Sequence, residues 1–346
     1  MKLSPLLTLA SGLLVLANPL GFKHADEYAR IGEHTYHYLR TEPEAEYKGT
    51  IFLVHGFPDM PHGWHNQIPH LAALGWRVFA PSALGYPRTS SPDGEEPFAL
   101  SAMASDLAGL IRHVTPAGEQ IVLAGHDWGC ALVWRTVVLY PELMRGVIGM
   151  AVPHGPPAEE YVDLADQIEH GQMLNWGYQL QLRDPATEDL LRGPDNIRQF
   201  LRATFEGKTP DGRAGINAAD GVDFDALPLV QPAPYLPAEM EAFYTSELTS
   251  GCRDTLAGPL KYYRTARANW EDDKAVADGG GSFFIDVPAL FICGEVDQFV
   301  PCSMSRGMEG LFADLTRREL DSGHWLQIQK ADEVNALFEQ WLGRKF

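Results

Sequence analysis

The 346-residue chain has no N-x-S/T triplet, no G-x-G-x-x-G turn and no P-loop, so it offers neither a glycosylation acceptor nor a common nucleotide cradle. Positive charge is short. Lys and Arg number 27 against 46 Asp and Glu, and the formal net charge of −19 argues against nucleic acid and anionic membrane surfaces as partners. Cysteine is scarce: Cys130, Cys252, Cys293 and Cys302 follow no framework spacing. Cys130 falls on an apolar helix and Cys293 in a core strand, so both read as buried thiols. No apolar run is long enough for a stable membrane span.

At 45% hydrophobic and 10% aromatic, the chain can fill one large core, or a core carrying an insertion. Met1–Ala17 hold one Lys and then an apolar run ending in small residues, the build of a secretory signal peptide. The alternative for residues 1–20 is an N-terminal arm resting on the fold. The first reading sends the protein to the secretory pathway or outside the cell, and the second leaves it cytoplasmic.

The most informative stretch is Gln120–Arg135, QIVLAGHDWGCALVWR. An apolar run, Ile121–Ala124, reaches Gly125-His126-Asp127-Trp128-Gly129. It then passes into Leu132, Val133, Thr136 and Val137 at helical spacing. This reads as strand, sharp turn, helix, with Asp127 at the tip. The flanking glycines match the G-x-S-x-G nucleophile elbow, with aspartate in place of serine. A plain strand-to-helix turn capped by Asp is the ordinary alternative.

The rest of the chain supplies context. Thr50–Val54 is a continuous apolar run of the parallel-sheet kind, ending in His55-Gly56-Phe57-Pro58. Strands are expected over His34–Leu39, Arg77–Ala80, Gly146–Val152, Val287–Cys293 and Arg317–Leu320, and helices over Leu100–Val114 and Ala331–Leu342. This alternation implies a mostly parallel sheet flanked by helices. Between them, residues 154–285 are helical in character, with a Pro-rich crossing at Pro228–Pro237. The division expected is a core of residues 24–153 and 286–346, with an inserted helical cap of residues 154–285.

Two further groups fall at strand ends: Asp297 in Gly294-Glu295-Val296-Asp297 and His324 in Gly323-His324-Trp325. Taken singly, each is unremarkable. The order nucleophile, acid, histidine is that of the α/β-hydrolase fold. His62 and His65 lack a carboxylate at ligand spacing, so no metal or other cofactor is expected.

The motifs His55-Gly56-Phe57-Pro58, Gly125-His126-Asp127-Trp128-Gly129, Gly294-Glu295-Val296-Asp297 and Gly323-His324-Trp325 resemble those of α/β-hydrolase epoxide hydrolases, including fungal members. In the insertion, Asn175–Leu180 and Gly258–Arg264 are similar to the two lid segments that carry the family's paired tyrosines. The resemblance implies Tyr178 and Tyr263, with Tyr262 as rival for the second place. Leu84-Gly85-Tyr86 departs from the family's common Arg-Gly-Tyr.

Asp127 would attack an epoxide carbon and form an ester, while Tyr178 and Tyr263 protonate the departing oxygen. His324, oriented by Asp297, would then activate water against that ester. Backbone N–H groups of Phe57 and Trp128 are the expected oxyanion donors. Phe57, Pro58, Trp128, Trp176, Leu180 and Trp325 are the expected substrate-binding residues, implying a small apolar epoxide as partner to a monomer or homodimer. The competing functions are a haloalkane or haloacid dehalogenase with the same triad, in which paired tyrosines have no task, and a noncatalytic binding protein of the same fold.

Overall fold

The computed structural model describes residues 21–250 and 255–346. The expected signal segment and Cys252 lie outside the described residues.

Following the chain, β1 (Ala25–Ile31), β2 (His34–Thr41) and β3 (Gly49–Val54) lead to α1 (Gln67–Ala73), β4 (Trp76–Pro81) and α2 (Leu100–Val114). Next come β5 (Ile121–His126), α3 (Trp128–Leu139) and β6 (Met144–Met150). Among the described residues seven helices then interrupt the alternation: α4 (Leu164–Glu169), α5 (Gly177–Leu182), α6 (Ala186–Leu190), α7 (Pro194–Thr204), α8 (Ala238–Leu248), α9 (Ala257–Leu260) and α10 (Ala266–Asp278). A two-residue-per-strand ladder, β7 (Ile216–Asn217) with β8 (Gly221–Val222), sits among them. The chain closes with β9 (Ala289–Gly294), β10 (Leu315–Leu320), α11 (Leu326–Gln329) and α12 (Ala331–Lys345).

Eight strands form one sheet in the order β1-β2-β4-β3-β5-β6-β9-β10. The β1/β2 and β2/β4 pairs are antiparallel and the others parallel. Every residue of β3, β5 and β9 is buried, which is why they read as unbroken apolar runs: helices cover both faces. Alternation within a strand still sorts side chains. Ile51 and Leu53 pack with Ile68, Leu71, Phe338 and Trp341 from α1 and α12. Phe52 and Val54 join the core shared by α2, α3 and the inserted helices. β1 is the polar edge ADEYARI, which has no apolar signal to show in sequence.

The parallel strands deliver their C-terminal ends to one side. Asp127 follows β5 at φ 54° and ψ −125°, a costly backbone for a residue with a Cβ. Glycine is required around it by close approach. A Cβ on Gly129 would collide with the carbonyl oxygens of Val54 and His55, and one on Gly56 with the Asp127 carboxylate. Gly310, exposed in the short 3-10 helix Met308–Leu311, has open space instead. Gly129→Ala should therefore lower stability by about 1–3 kcal/mol through overpacking, with Gly310→Ala near neutral. Thermal unfolding of the two variants checks this, and equal midpoints would contradict the crowding.

Candidate active site

Asp127 lies at the mouth of the turn between β5 and α3. Its side chain does not cap α3. One carboxylate oxygen, Oδ1, accepts the Phe57 N–H at 2.7 Å, and the other, Oδ2, faces His324 Nε2 at 3.5 Å. His324 Nδ1 lies 2.8 Å from Asp297 Oδ2. The remaining Asp297 oxygen accepts the N–H groups of Phe299 at 2.8 Å and Val300 at 3.0 Å. Trp128 opens α3 directly after Asp127, next to the Phe57 loop that follows β3.

Electrostatics bind the three groups. Burial opposes a charged imidazole at His324, but the Asp297 carboxylate and then Asp127 outweigh it, and the His324 pKa is pushed up to about 10. Burial would raise both acids as well, yet His324 and the backbone donors hold Asp127 and Asp297 below the usual carboxylate range. All three shifts favour carboxylate, imidazolium, carboxylate at rest. His126, the residue before Asp127, is pushed down to about 4 by burial and by the charge of His324. Neutral His126 places Nε2 2.8 Å from the His324 carbonyl oxygen and Nδ1 3.3 Å from Gln327 Nε2. Sequence reasoning passed over His126, although its place one residue before the elbow tip was a signal.

The inserted helices close over the triad. Tyr178 and Tyr263 meet edge to face with ring centroids 6.1 Å apart, and both line a cavity with Asp127 and His324. Burial holds both phenols protonated, Tyr178 above its usual range and Tyr263 well above it. Tyr262 is placed differently: its hydroxyl donates to the Leu84 carbonyl at 2.9 Å, and it is absent from the cavity wall. Tyr86, two residues after the Leu84 that departs from the common Arg-Gly-Tyr, donates to the Gly56 carbonyl at 3.2 Å.

The cavity is about 30 Å³ and is also walled by Phe57, Pro58, Trp325, Leu182, Thr204, Ile216 and Phe299. A groove of about 540 Å³ shares Thr204, Ile216, Phe299 and His324 with it. Three expected substrate-binding residues are not in the wall. Leu180 follows Tyr178 by two positions on α5 and faces away, whereas Leu182, one turn on, shares Tyr178's side. Trp176 donates Nε1–H to the Phe299 carbonyl at 2.9 Å. The Trp128 ring packs behind Tyr262 and Tyr263. Leu182, Thr204, Ile216 and Phe299 carry no local motif; packing of the insertion on the core brings them in.

Cys293 corrects a second expectation. It is not a free thiol but is bridged to Cys302, with Cα atoms 5.4 Å apart; Cys130 is the free, buried one among the described residues. The bridge closes the loop that carries Asp297. Spacing alone hides it, because the chain's return after β9 brings the pair together. His62 packs against Phe243 and His24, and His65 Nδ1 against the His62 carbonyl. No described helix is long and apolar enough to cross a membrane.

Residues 49–204 match the profile of the α/β-hydrolase fold family. The chain is 34% identical over 319 residues to epoxide hydrolase srdG of Neurospora crassa, covering 89% of this chain and 92% of that one. It is 32% identical over 300 residues to epoxide hydrolase A of Mycobacterium tuberculosis, covering 84% and 89%. The crystal structure of epoxide hydrolase A from Mycobacterium thermoresistibile superposes with a TM-score of 0.76 at 26% identity, over 92% of this chain and 98% of that chain.

The charge of Asp297 is expected to hold the proton on His324. Asp297→Asn should lower the His324 titration by at least about one pH unit, since a nearby negative charge favours the imidazolium. Imidazole NMR, with His324→Gln to assign the signal, reads this directly. An unmoved titration would show that Asp297 does not set the charge of the ring.

Proposed function

We propose that this chain, which belongs to the epoxide hydrolases of the α/β-hydrolase fold, opens an epoxide and releases a vicinal diol through a covalent ester on Asp127. The observation that carries the proposal is one cavity holding a carboxylate, an imidazole backed by a second carboxylate, and two protonated phenols.

In the first step Asp127 Oδ2, the oxygen not engaged by Phe57, forms a bond to one ring carbon as the carbon–oxygen bond of the epoxide breaks. Charge develops on the departing oxygen, and Tyr178 and Tyr263 donate to it. An alkoxide is more basic than a phenolate, so one phenol gives up its proton despite its raised pKa.

Alkylation then changes the charge balance. The ester has no negative charge, so one of the two carboxylates that hold the proton on His324 is lost. The imidazolium becomes more acidic while a phenolate needs a proton, and returning that proton leaves His324 a base. In the second step His324 Nε2 takes a proton from water, whose oxygen bonds to Cγ of the ester. The tetrahedral oxyanion on Oδ1 meets the Phe57 N–H and the N-terminus of α3 at Trp128; on collapse the departing oxygen takes the proton from His324 to free the diol, and the new Asp127 acid returns its proton to His324. A halide would leave without needing a proton, so the paired phenols in the wall favour an epoxide.

The narrow, largely apolar inner cavity beside a wider groove fits a small apolar epoxide end. From the single Lys and the apolar run that follows it, we propose secretion as the reading of residues 1–20, with cytoplasmic residence as its alternative.

His324→Gln should accumulate the ester, because ring opening needs Asp127 and the phenols while hydrolysis needs the base. Intact-protein mass spectrometry should show a gain of one substrate mass, with no halide release from haloalkanes. In that background Tyr178→Phe and Tyr263→Phe should each slow adduct formation, by roughly 10²-fold on the scale of lost oxyanion donors. No adduct on His324→Gln, or undiminished accumulation in both tyrosine variants, would remove the proposed roles.

A further inference from the structure

Phe299 touches Asp297, His324 and one of the two phenols. Its N–H donates to Asp297 Oδ1 at 2.8 Å. Its ring lies edge-on to Tyr178 with centroids 5.0 Å apart and to His324 at 5.7 Å. Its carbonyl oxygen accepts two hydrogen bonds from the segment just before Tyr178: Asn175 Nδ2 at 2.6 Å and Trp176 Nε1 at 2.9 Å. The same residue therefore reaches the acid that orients the base and, through its carbonyl, the inserted segment that presents a phenol.

The loop bearing Asp297 is tied toward β10 by the Glu295 N–H on the Leu320 carbonyl at 2.8 Å and the Val296 N–H on the Ser322 carbonyl at 3.2 Å. Cys293 and Cys302 close its base, and Asp297 itself gathers the Phe299 and Val300 N–H groups. The acid's side chain is fully buried and pairs with His324 at 2.8 Å, so its orientation is set by how the 297–300 turn is held. The donors on the outer side of that turn come from the inserted segment.

We propose that Asn175 and Trp176 are positioning residues for Asp297: by donating to the Phe299 carbonyl they hold the turn that aims the acid at His324, and they tie base orientation to the seating of the segment carrying Tyr178. This rests on the two-step reading above. The consequence is a division between steps. Ring opening uses Asp127 and the phenols, whereas ester hydrolysis depends on Asp297 keeping His324 in place and basic. His324 faces Asp127, Asp297 and neutral His126, and in the ester only Asp297 remains charged. A loosened Asp297 then leaves His324 less basic, and the acid limb of the hydrolysis rate moves to lower pH.

The test is single-turnover kinetics on Trp176→Phe, which keeps a ring but loses the donor, on Asn175→Leu, and on the pair. Adduct formation and decay are followed by quenched-flow mass spectrometry from pH 5 to 9. Decay should slow more than formation, by roughly tenfold in the double variant as expected for a misplaced catalytic group, with the acid limb shifted down. Trp176→Phe alone should show a smaller effect in the same direction. If both steps slow equally, or decay and its pH limb stay as in the parent, the assignment is overturned while the two-step reading stands. If the parent enzyme forms no adduct at all, the two-step reading fails and takes the assignment with it.

Discussion

Two buried carboxylates share one imidazolium, and the rest of the site is arranged around that charge balance. Asp127 and Asp297 flank His324, which together with the backbone N–H groups of Phe57, Phe299 and Val300 favours their ionised forms in a buried site. The arrangement is metastable in a useful sense. Converting one carboxylate to a neutral ester removes much of what keeps the ring protonated, so under the proposed chemistry the first step prepares the base for the second.

Geometry enforces the balance from below and above. From below, parallel strands end together, and the forced backbone at Asp127 lifts its carboxylate between the Phe57 N–H and His324. The glycines at 56, 125 and 129 make room where any Cβ would strike backbone or the carboxylate itself. From above, the inserted helices supply what the sheet cannot: two phenols held neutral by burial. They also clamp the histidine loop, with Trp325 Nε1–H on the Thr204 carbonyl at 2.7 Å and its indole stacked on Phe205 at 4.1 Å. A buried Asp59, pushed up to about 7 by its burial, adds a link from the Phe57 loop to Tyr244 on α8 at 2.6 Å.

How much of this was legible in the sequence depends on whether a feature is local. β3, β5 and β9 announce themselves because strands covered on both faces must be apolar throughout. Asp127, Asp297 and His324 stand in short motifs at strand ends, so their order is readable, and the structure brings them within hydrogen-bonding range or near it. β1 is a polar edge, and β7 with β8 are too short for any periodicity, so they leave no trace. Leu182, Thr204, Ile216 and Phe299 become cavity walls only through packing of distant segments, and the Cys293–Cys302 bridge only through the chain's return after β9. The choice between Tyr262 and Tyr263 was open in sequence because the two are adjacent. In the structure Tyr263 lines the cavity with Asp127 and His324, whereas the Tyr262 hydroxyl donates to the Leu84 carbonyl.

The central claim is that an oxygen of Asp127, not water, bonds to the substrate carbon. A single turnover in heavy-oxygen water with enzyme in excess tests it. The account predicts a light diol and one heavy oxygen in the peptide containing Asp127, because water attacks the ester carbonyl carbon. A heavy diol with an unlabelled peptide would contradict it, making Asp127 a general base for direct attack by water.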